Sequence, residues 1–268
     1  MNGKHKLINM KNILIILLVS IFNRTYAQNN ISVHYFESFE TDLPTRREAI
    51  LQTQKDKSIY IRKLTSSNHY VSDEEAIKNS PFKQNNPDEV SKHYIIRPEV
   101  KNDDYYFNDT KNKRFTYTET LGGNMFLVVD DLKIKWEISK ETKTIASYKT
   151  YKAITKFRGR TWEAWFAPKL AYPYGPWKLH GLPGLILEAY DESRKYTYTA
   201  TQIYDNENNL SIDLKKIPEI TLRKYTEMYK EYYDNIFSKN PDPRYKKTTF
   251  RSTTKGQEFD FEWETETK

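Results

Sequence analysis

The sequence predicts a mainly β (α+β) protein: a curved antiparallel sheet or open half-barrel with one C-terminal helix packed on it. Three observations carry this. Apolar–polar alternations of period two recur along the chain, clusters of Gly, Pro, Asn and Asp separate them, and one segment, Glu219 to Lys239, switches to a three–four spacing. The 268 residues include 21 Tyr, 13 Phe and 5 Trp, enough large side chains to offset the entropy of ordering a domain, so a disordered chain is excluded. With 29% charged residues the chain is no polytopic membrane protein. Zero cysteine excludes disulfides, thiol nucleophiles, iron–sulfur clusters, thiolate zinc sites and a cysteine-linked lipid anchor.

Residues 1–27 read as a signal peptide rather than as fold. Lys4, Lys6 and Lys11 form a basic region, the run from Ile13 to Phe22 is too short to span a bilayer, and Thr25 and Ala27 suit cleavage after Ala27. The expectation is export, with residues 28–268 as one β-rich domain, periplasmic, associated with the outer membrane or secreted, and without a transmembrane span. Losing Lys4, Lys6, Lys11 and Arg24 leaves 39 basic and 36 acidic residues, against 43 and 36 in the whole chain. That balance, with both signs interspersed, argues against a nucleic-acid partner.

Within 28–268, Ile31, Val33 and Tyr35 alternate with Ser32 and His34 as a half-buried strand, and Ile59 to Leu64 is a weaker one. Residues 66–100, rich in Ser, Asn, Asp, Glu and Lys with Pro81, Pro87 and Pro98, read as a long polar excursion. Strand composition resumes at Tyr105 to Phe107 and Phe115 to Thr118. A hairpin is then expected: Met125 to Val129, a turn at Asp130-Asp131, and a partner with Leu132, Ile134, Trp136 and Ile138 on one face. A second hairpin runs from Ala146 through a turn at Arg158-Gly159 to Phe166. Further strands fit Leu185 to Tyr190, Tyr196 to Tyr204 and Phe259 to Trp263. In the helix Glu219 to Lys239, opened after Pro218 and stopped by Pro241, Leu222, Tyr225, Met228, Tyr229, Tyr232, Tyr233, Ile236 and Phe237 form one apolar stripe to cover a dry sheet face.

The most distinctive stretch is Trp162 to Glu188. Its core, Gly181-Leu182-Pro183-Gly184-Leu185-Ile186, reads as a structural turn motif: Leu182 to Leu185 has the residues of a type II turn, with positive φ expected at Gly184, leading into a fully buried strand. This hexapeptide resembles the GLPGLI family of exported, uncharacterised proteins of Gram-negative bacteria. Tyr151-Lys152-Ala153, Phe157-Arg158-Gly159-Arg160, Ala164-Trp165-Phe166 and Gly175-Pro176 look like that family's flanking pattern, so the likeness spans about residues 146 to 190. Thr150 stands where many relatives of that family carry a cysteine. The resemblance implies export and a β-rich fold, and brings no catalytic residue with it.

Trp162, Trp165, Tyr172, Tyr174 and Trp177 place five large rings within sixteen residues. They are the candidate ligand-binding set, for an apolar ligand or an outer-membrane protein partner, with ordinary core packing as the plainer use of such rings. The expected role is a non-enzymatic binding or carrier module of the cell envelope, without a cofactor. The alternative is an envelope hydrolase acting on peptide or glycan with His180 and Glu188 as acid–base pair. The histidines His34, His69, His93 and His180 have no metal-ligand spacing, and Gly181 and Gly184 lack the lysine and hydroxyl of a phosphate loop. No catalytic or metal residue is therefore assigned.

Overall fold

In a computed structural model the described residues are 30–41, 44–63, 103–206, 216–238, 257, 258, 260, 261 and 263. The expected signal peptide and the polar excursion at 66–100 lie outside them. Twelve strands form one unclosed sheet: β1 (Ile31–Phe39), β2 (Thr45–Gln54), β3 (Lys57–Arg62), β4 (Asp104–Asp109), β5 (Arg114–Leu121), β6 (Asn124–Asp130), β7 (Glu137–Ile145), β8 (Tyr148–Phe157), β9 (Arg160–Ala167), β10 (Leu185–Asp191), β11 (Tyr196–Asp205) and β12 (Glu219–Thr221). A helix, α1 (Leu222–Ser238), follows β12 directly. The mainly β, open, curved sheet with a C-terminal helix is thus the fold.

The spatial order is β12-β6-β5-β4-β3-β2-β1-β11-β10-β9-β8-β7. All pairings are antiparallel except that of β12 with β6. Two meanders, β1 to β6 and β7 to β11, meet where β1 pairs with β11. Consecutive strands β6 and β7 consequently lie at opposite ends of the sheet. At about 4.8 Å per strand, a flat sheet would hold them roughly 50 Å apart, whereas the linking residues 131–136 reach only about 25 Å when extended. The sheet has to curl until its ends approach. Along this crossing, Leu132, Ile134 and Trp136 pack against the core, and the Thr155 hydroxyl donates to the Lys135 carbonyl at 2.7 Å.

This corrects the hairpin expected over 125–138. The alternation is present in residues 132–136, but the segment is a crossing and pairs with no strand, and Ile138, already in β7, is 52% exposed. Period-two patterning reports an extended backbone lying on an apolar surface, whether that backbone is a strand or a crossing. A second correction concerns Phe259 to Trp263: the described residues there form no strand, although Phe261 is buried in the core and Trp263 packs against it. Glu219 to Thr221, read as helix, is the short strand β12. The strand β2 had gone unread, because Ala49, Leu51 and Thr53 turn inward among polar neighbours and make no apolar run.

The hairpin β8–β9 forms as expected, with Arg158 and Gly159 at φ of 46° and 83°, the two positive values that a two-residue turn of matching twist requires. The backbone N–H of Lys224 donates to the Thr221 hydroxyl at 3.3 Å and caps α1. Leu222 and Tyr225 are buried, Tyr225 lies 6.3 Å from Phe126 by ring centroid, and the helix sits over the β5–β6 end.

Candidate functional site

The concave face is lined by tyrosines and interrupted by charge. In β1 the inward series Ile31, Val33, Tyr35, Glu37, Phe39 contains a carboxylate; in β3 it is Ser58, Tyr60, Arg62; in β5, Phe115, Tyr117, Glu119, Leu121; in β6, Phe126, Val128, Asp130. Charges in the apolar register of a strand have to be paired, because isolated ions are too costly to desolvate. Two networks do this.

The first is centred on Glu37, which is fully buried. Its carboxylate accepts from Arg62 Nε at 3.1 and 2.9 Å, from the Tyr60 hydroxyl at 2.7 Å and from Arg47 Nε at 2.5 Å. Arg62 Nη1 also donates to the Tyr106 hydroxyl at 2.7 Å and approaches Asp104 at 3.4 Å. Burial pushes the Glu37 carboxyl up, but Arg62 and Arg47, together with the Tyr60 hydroxyl, outweigh it and hold the group below the usual carboxylate range.

The second network joins the two ends of the sheet. Arg158, at the β8–β9 turn, grips Asp130 at the end of β6 with both arms, at 2.8 and 2.6 Å, and reaches Glu258 at 2.7 Å. Lys178 donates to Asp130 at 3.0 Å and to the two oxygens of Glu258 at 3.0 and 2.8 Å, with its ammonium 4.0 Å from the Tyr117 ring centroid. All four side chains are 5% exposed or less. Two cations face two anions, so the net charge is zero, the condition under which such a cluster survives in a core.

Glu119 stands between the networks. Continuing the Tyr106–Tyr117 register brings Asp104 abreast of it, and the Tyr225 hydroxyl of α1 donates to its Oε2 at 3.4 Å. Burial, then the Asp104 charge, push its carboxyl up to about 8, so that it carries a proton at neutral pH. Burial likewise raises Asp104. A carboxyl raised in the folded state stabilises the fold only while the unfolded form is also protonated, below about 4.5, and that advantage is lost as pH rises through the folded value. The expected result is an unfolding midpoint that falls from pH 5 to pH 8 and flattens in Glu119→Gln, measured by thermal melts across that range.

The GLPGLI-like elbow places Lys178. Gly181 N–H donates to the Pro173 carbonyl at 3.0 Å, Leu185 N–H to Leu170 at 2.9 Å and Ile186 N–H to Tyr174 at 3.0 Å, which folds the segment back on residues 170–174. Leu182, Leu185 and Ile186 are 1% exposed or less. The expected type II turn is corrected: positive φ falls at Gly181, φ +90°, and not at Gly184. Instead, Pro183 is spanned by a tight Gly184 N–H to Leu182 carbonyl bond of 2.8 Å, and a Cβ on Gly184 would lie 2.4 Å from the Ala167 carbonyl oxygen. Gly181 has open space around it, so Gly181→Ala is expected to cost only its backbone strain, about 1–2 kcal/mol in a denaturant melt.

The five candidate rings are all buried: Trp162 0%, Tyr174 1%, Trp177 4%, Trp165 7% and Tyr172 8% exposed. Trp162 and Trp177 pack at 5.4 Å, Trp162 and Tyr198 at 6.2 Å, and Phe157 and Trp177 at 6.1 Å, so three of the contacts close within the core. Tyr174 donates to the Lys55 carbonyl at 3.3 Å. Trp165 lies apart from that cluster, its ring 4.3 Å from the Lys143 ammonium and its Nε1 donating to Glu163 at 2.9 Å. His180 and Glu188 have separate partners. His180 is stacked on Phe115 at 5.7 Å, shares a 2.8 Å bond with the Lys178 carbonyl, and is held below the ordinary histidine range by burial; Glu188 pairs with Lys143 at 2.9 Å. Thr150, fully buried, donates to the Lys143 carbonyl at 2.8 Å.

Sequence reading passed over Glu37, Arg62, Glu119, Asp130 and Lys178. The signal was available for the first four: each is a charge on the inward parity of its own strand. Lys178 had none, because its burial depends on how the elbow folds back. Among the described residues no group of three or more acidic or histidine side chains is disposed to hold a metal ion, and no helix is long and apolar enough to cross a membrane.

Residues 97–225, just under half of the chain, match the model of the N-glycanase peptide N-terminal domain. No curated protein matches the sequence. Two solved structures of PNGF-II, in C2 and P21 space groups, are similar in fold: each has a TM-score of 0.51, with 20% and 19% identity, over 76% of this chain. They are much longer, and this chain covers 33% and 34% of them. The curved sheet described above is therefore a fold also found in about a third of PNGF-II.

Proposed function

We propose that the chain is an exported cell-envelope protein that acts as a non-enzymatic binding module for carbohydrate-bearing material. The observation that carries this is the likeness of the sheet to one third of PNGF-II, beside the match of residues 97–225 to a model named for an N-glycanase: a unit of that size, beside a longer remainder, suits an accessory role. The leader at residues 1–27 and the GLPGLI-like hexapeptide support export. The ion pairs within the concave face support binding over turnover, because Glu37, Asp130 and Glu258 already hold cations of the protein itself. The aromatic set is committed to packing, so the binding surface is the polar part of the concave face, in place of an apolar groove.

The test uses the mature chain from Gln28 onward. Immobilised on beads, it is expected to retain neutral oligosaccharides and glycopeptides, and to return them intact by mass spectrometry. Release of a cleaved glycan or peptide would instead establish the hydrolase, and failure to retain any glycan would overturn the reading. N-terminal sequencing of the envelope form is expected to begin at Gln28.

A further inference from the structure

Arg62 is 5% exposed, and its Nη2 makes no hydrogen bond among the described residues. Its Nε serves Glu37, and its Nη1 serves Tyr106 and Asp104. A buried guanidinium arm without an acceptor is costly, and in native structures such an atom calls for an explanation, a bound water or ion among them. Arg62 pairs in register with Asp104, and Asp104 stands abreast of Glu119 by continuation of the next pairing. Three polar side chains thus lie side by side on β3, β4 and β5, at one end of the concave face. Tyr225 of α1 bonds the last of them, and the Asp104 side chain is 36% exposed, so this end meets solvent.

We propose that Arg62, Asp104 and Glu119, with Tyr106 and Tyr225 beside them, form a binding site for one unit of a neutral, hydroxyl-rich ligand, a saccharide. The site rests on the binding-module reading above and assigns its location. Charge decides the ligand class. An anion would meet the carboxylates of Glu37 and Asp104. A cation would meet Arg62 and Arg47, with Lys178 near enough to influence Glu119. A neutral polyol meets neither objection. Its hydroxyl oxygens accept from Arg62 Nη2 and from the protonated Glu119 carboxyl, and its hydroxyl protons go to Asp104, so donors and acceptors are both used. The parallel ring pair Tyr106–Tyr117, at 5.6 Å and 13°, packs in the core next to Arg62, whose Nη1 bonds the Tyr106 hydroxyl.

Calorimetric titration of the mature protein tests this with three probes of similar size: N,N′-diacetylchitobiose (neutral), chitobiose with free amines (cationic) and digalacturonic acid (anionic). The neutral probe is expected to bind at least tenfold more tightly than either charged one. Arg62→Lys, which keeps the charge but loses the second arm, is expected to lose tenfold or more. If that variant fails to fold, Asp104→Asn carries the same test, with a loss of at least fivefold. Glu119→Gln is expected to abolish the decline in affinity that the wild type shows above pH 8. Preference for either charged probe overturns the site, as does equal affinity of wild type and variants for the neutral one. In the second case the protein still binds sugar elsewhere and the module reading stands. No heat with the neutral probe in wild type overturns the site, and an empty bead assay with glycopeptides overturns the reading with it.

Discussion

Lys178→Met is expected to destabilise the protein by about 3–5 kcal/mol, the usual cost of removing one partner from a buried ionic cluster. Methionine is close in volume to the lysine stem, so little cavity is created and the loss is electrostatic. Asp130 and Glu258 would then share Arg158 alone, and both carboxylates lie in a region from which water is excluded. Burial pushes the Asp130 carboxyl up, and the charges of Lys178 and Arg158 outweigh it and hold it below the usual range. Without Lys178 the remaining pair should take up a proton. The loss is therefore smaller at pH 5 than at pH 8, which urea melts at the two values would detect. Lys178→Met combined with Glu258→Gln restores neutrality and should recover a good part of the stability. If the double variant is no better than the single one, charge balance is not what Lys178 supplies.

Gly184→Val is expected to cost about 3 kcal/mol or more, at the upper end of overpacking substitutions. The cause differs from the one suggested by the Leu-Pro-Gly-Leu spelling. A side chain at residue 184 would strike the carbonyl oxygen and carbon of Ala167, at 2.4 and 2.7 Å, and the Cα of Pro168 at 2.9 Å. These are backbone atoms, unable to rotate aside, and those of Ala167 belong to the end of β9 where it pairs with Leu185. Gly184→Ala should therefore already be severe, which separates steric exclusion from a positive-φ requirement. A strained φ at that position would make alanine and valine differ chiefly through β-branching, whereas a clash with backbone begins at the first carbon. Melting of Gly184→Ala at the wild-type midpoint would refute the close approach.

Both effects bear on the same point of the architecture. The elbow that needs Gly184 also carries Lys178 into the seam between β6 and the β8–β9 turn, where it bonds Asp130 and Glu258. Loss of either should loosen the curl of the sheet, and with it the row formed by Arg62, Asp104 and Glu119 on the concave face. A binding defect in Lys178→Met would therefore accompany its instability, whereas Asp104→Asn should impair binding at unchanged compactness.

What the sequence determined by itself was local. The alternation in Ile31 to Tyr35, the Arg158-Gly159 turn, the strands Leu185 to Tyr190 and Tyr196 to Tyr204, and the stripe of Leu222 and Tyr225 on the helix all follow from periods of 2 and 3.6 acting over a few residues. The inward charges Glu37, Arg62, Glu119 and Asp130 were equally legible, as polar letters in an apolar register. Tertiary structure alone decided three matters. Residues 131–136 alternate like a strand, yet they cross between the ends of the sheet, because pairing depends on what lies beside a segment and not on its own pattern. The rings at 162, 165, 172, 174 and 177 are consumed by packing, since a ring suited to a groove is equally suited to a core. Lys178 became a buried cation because the elbow turns back on itself, and long-range ion pairing leaves no trace in the order of neighbouring residues.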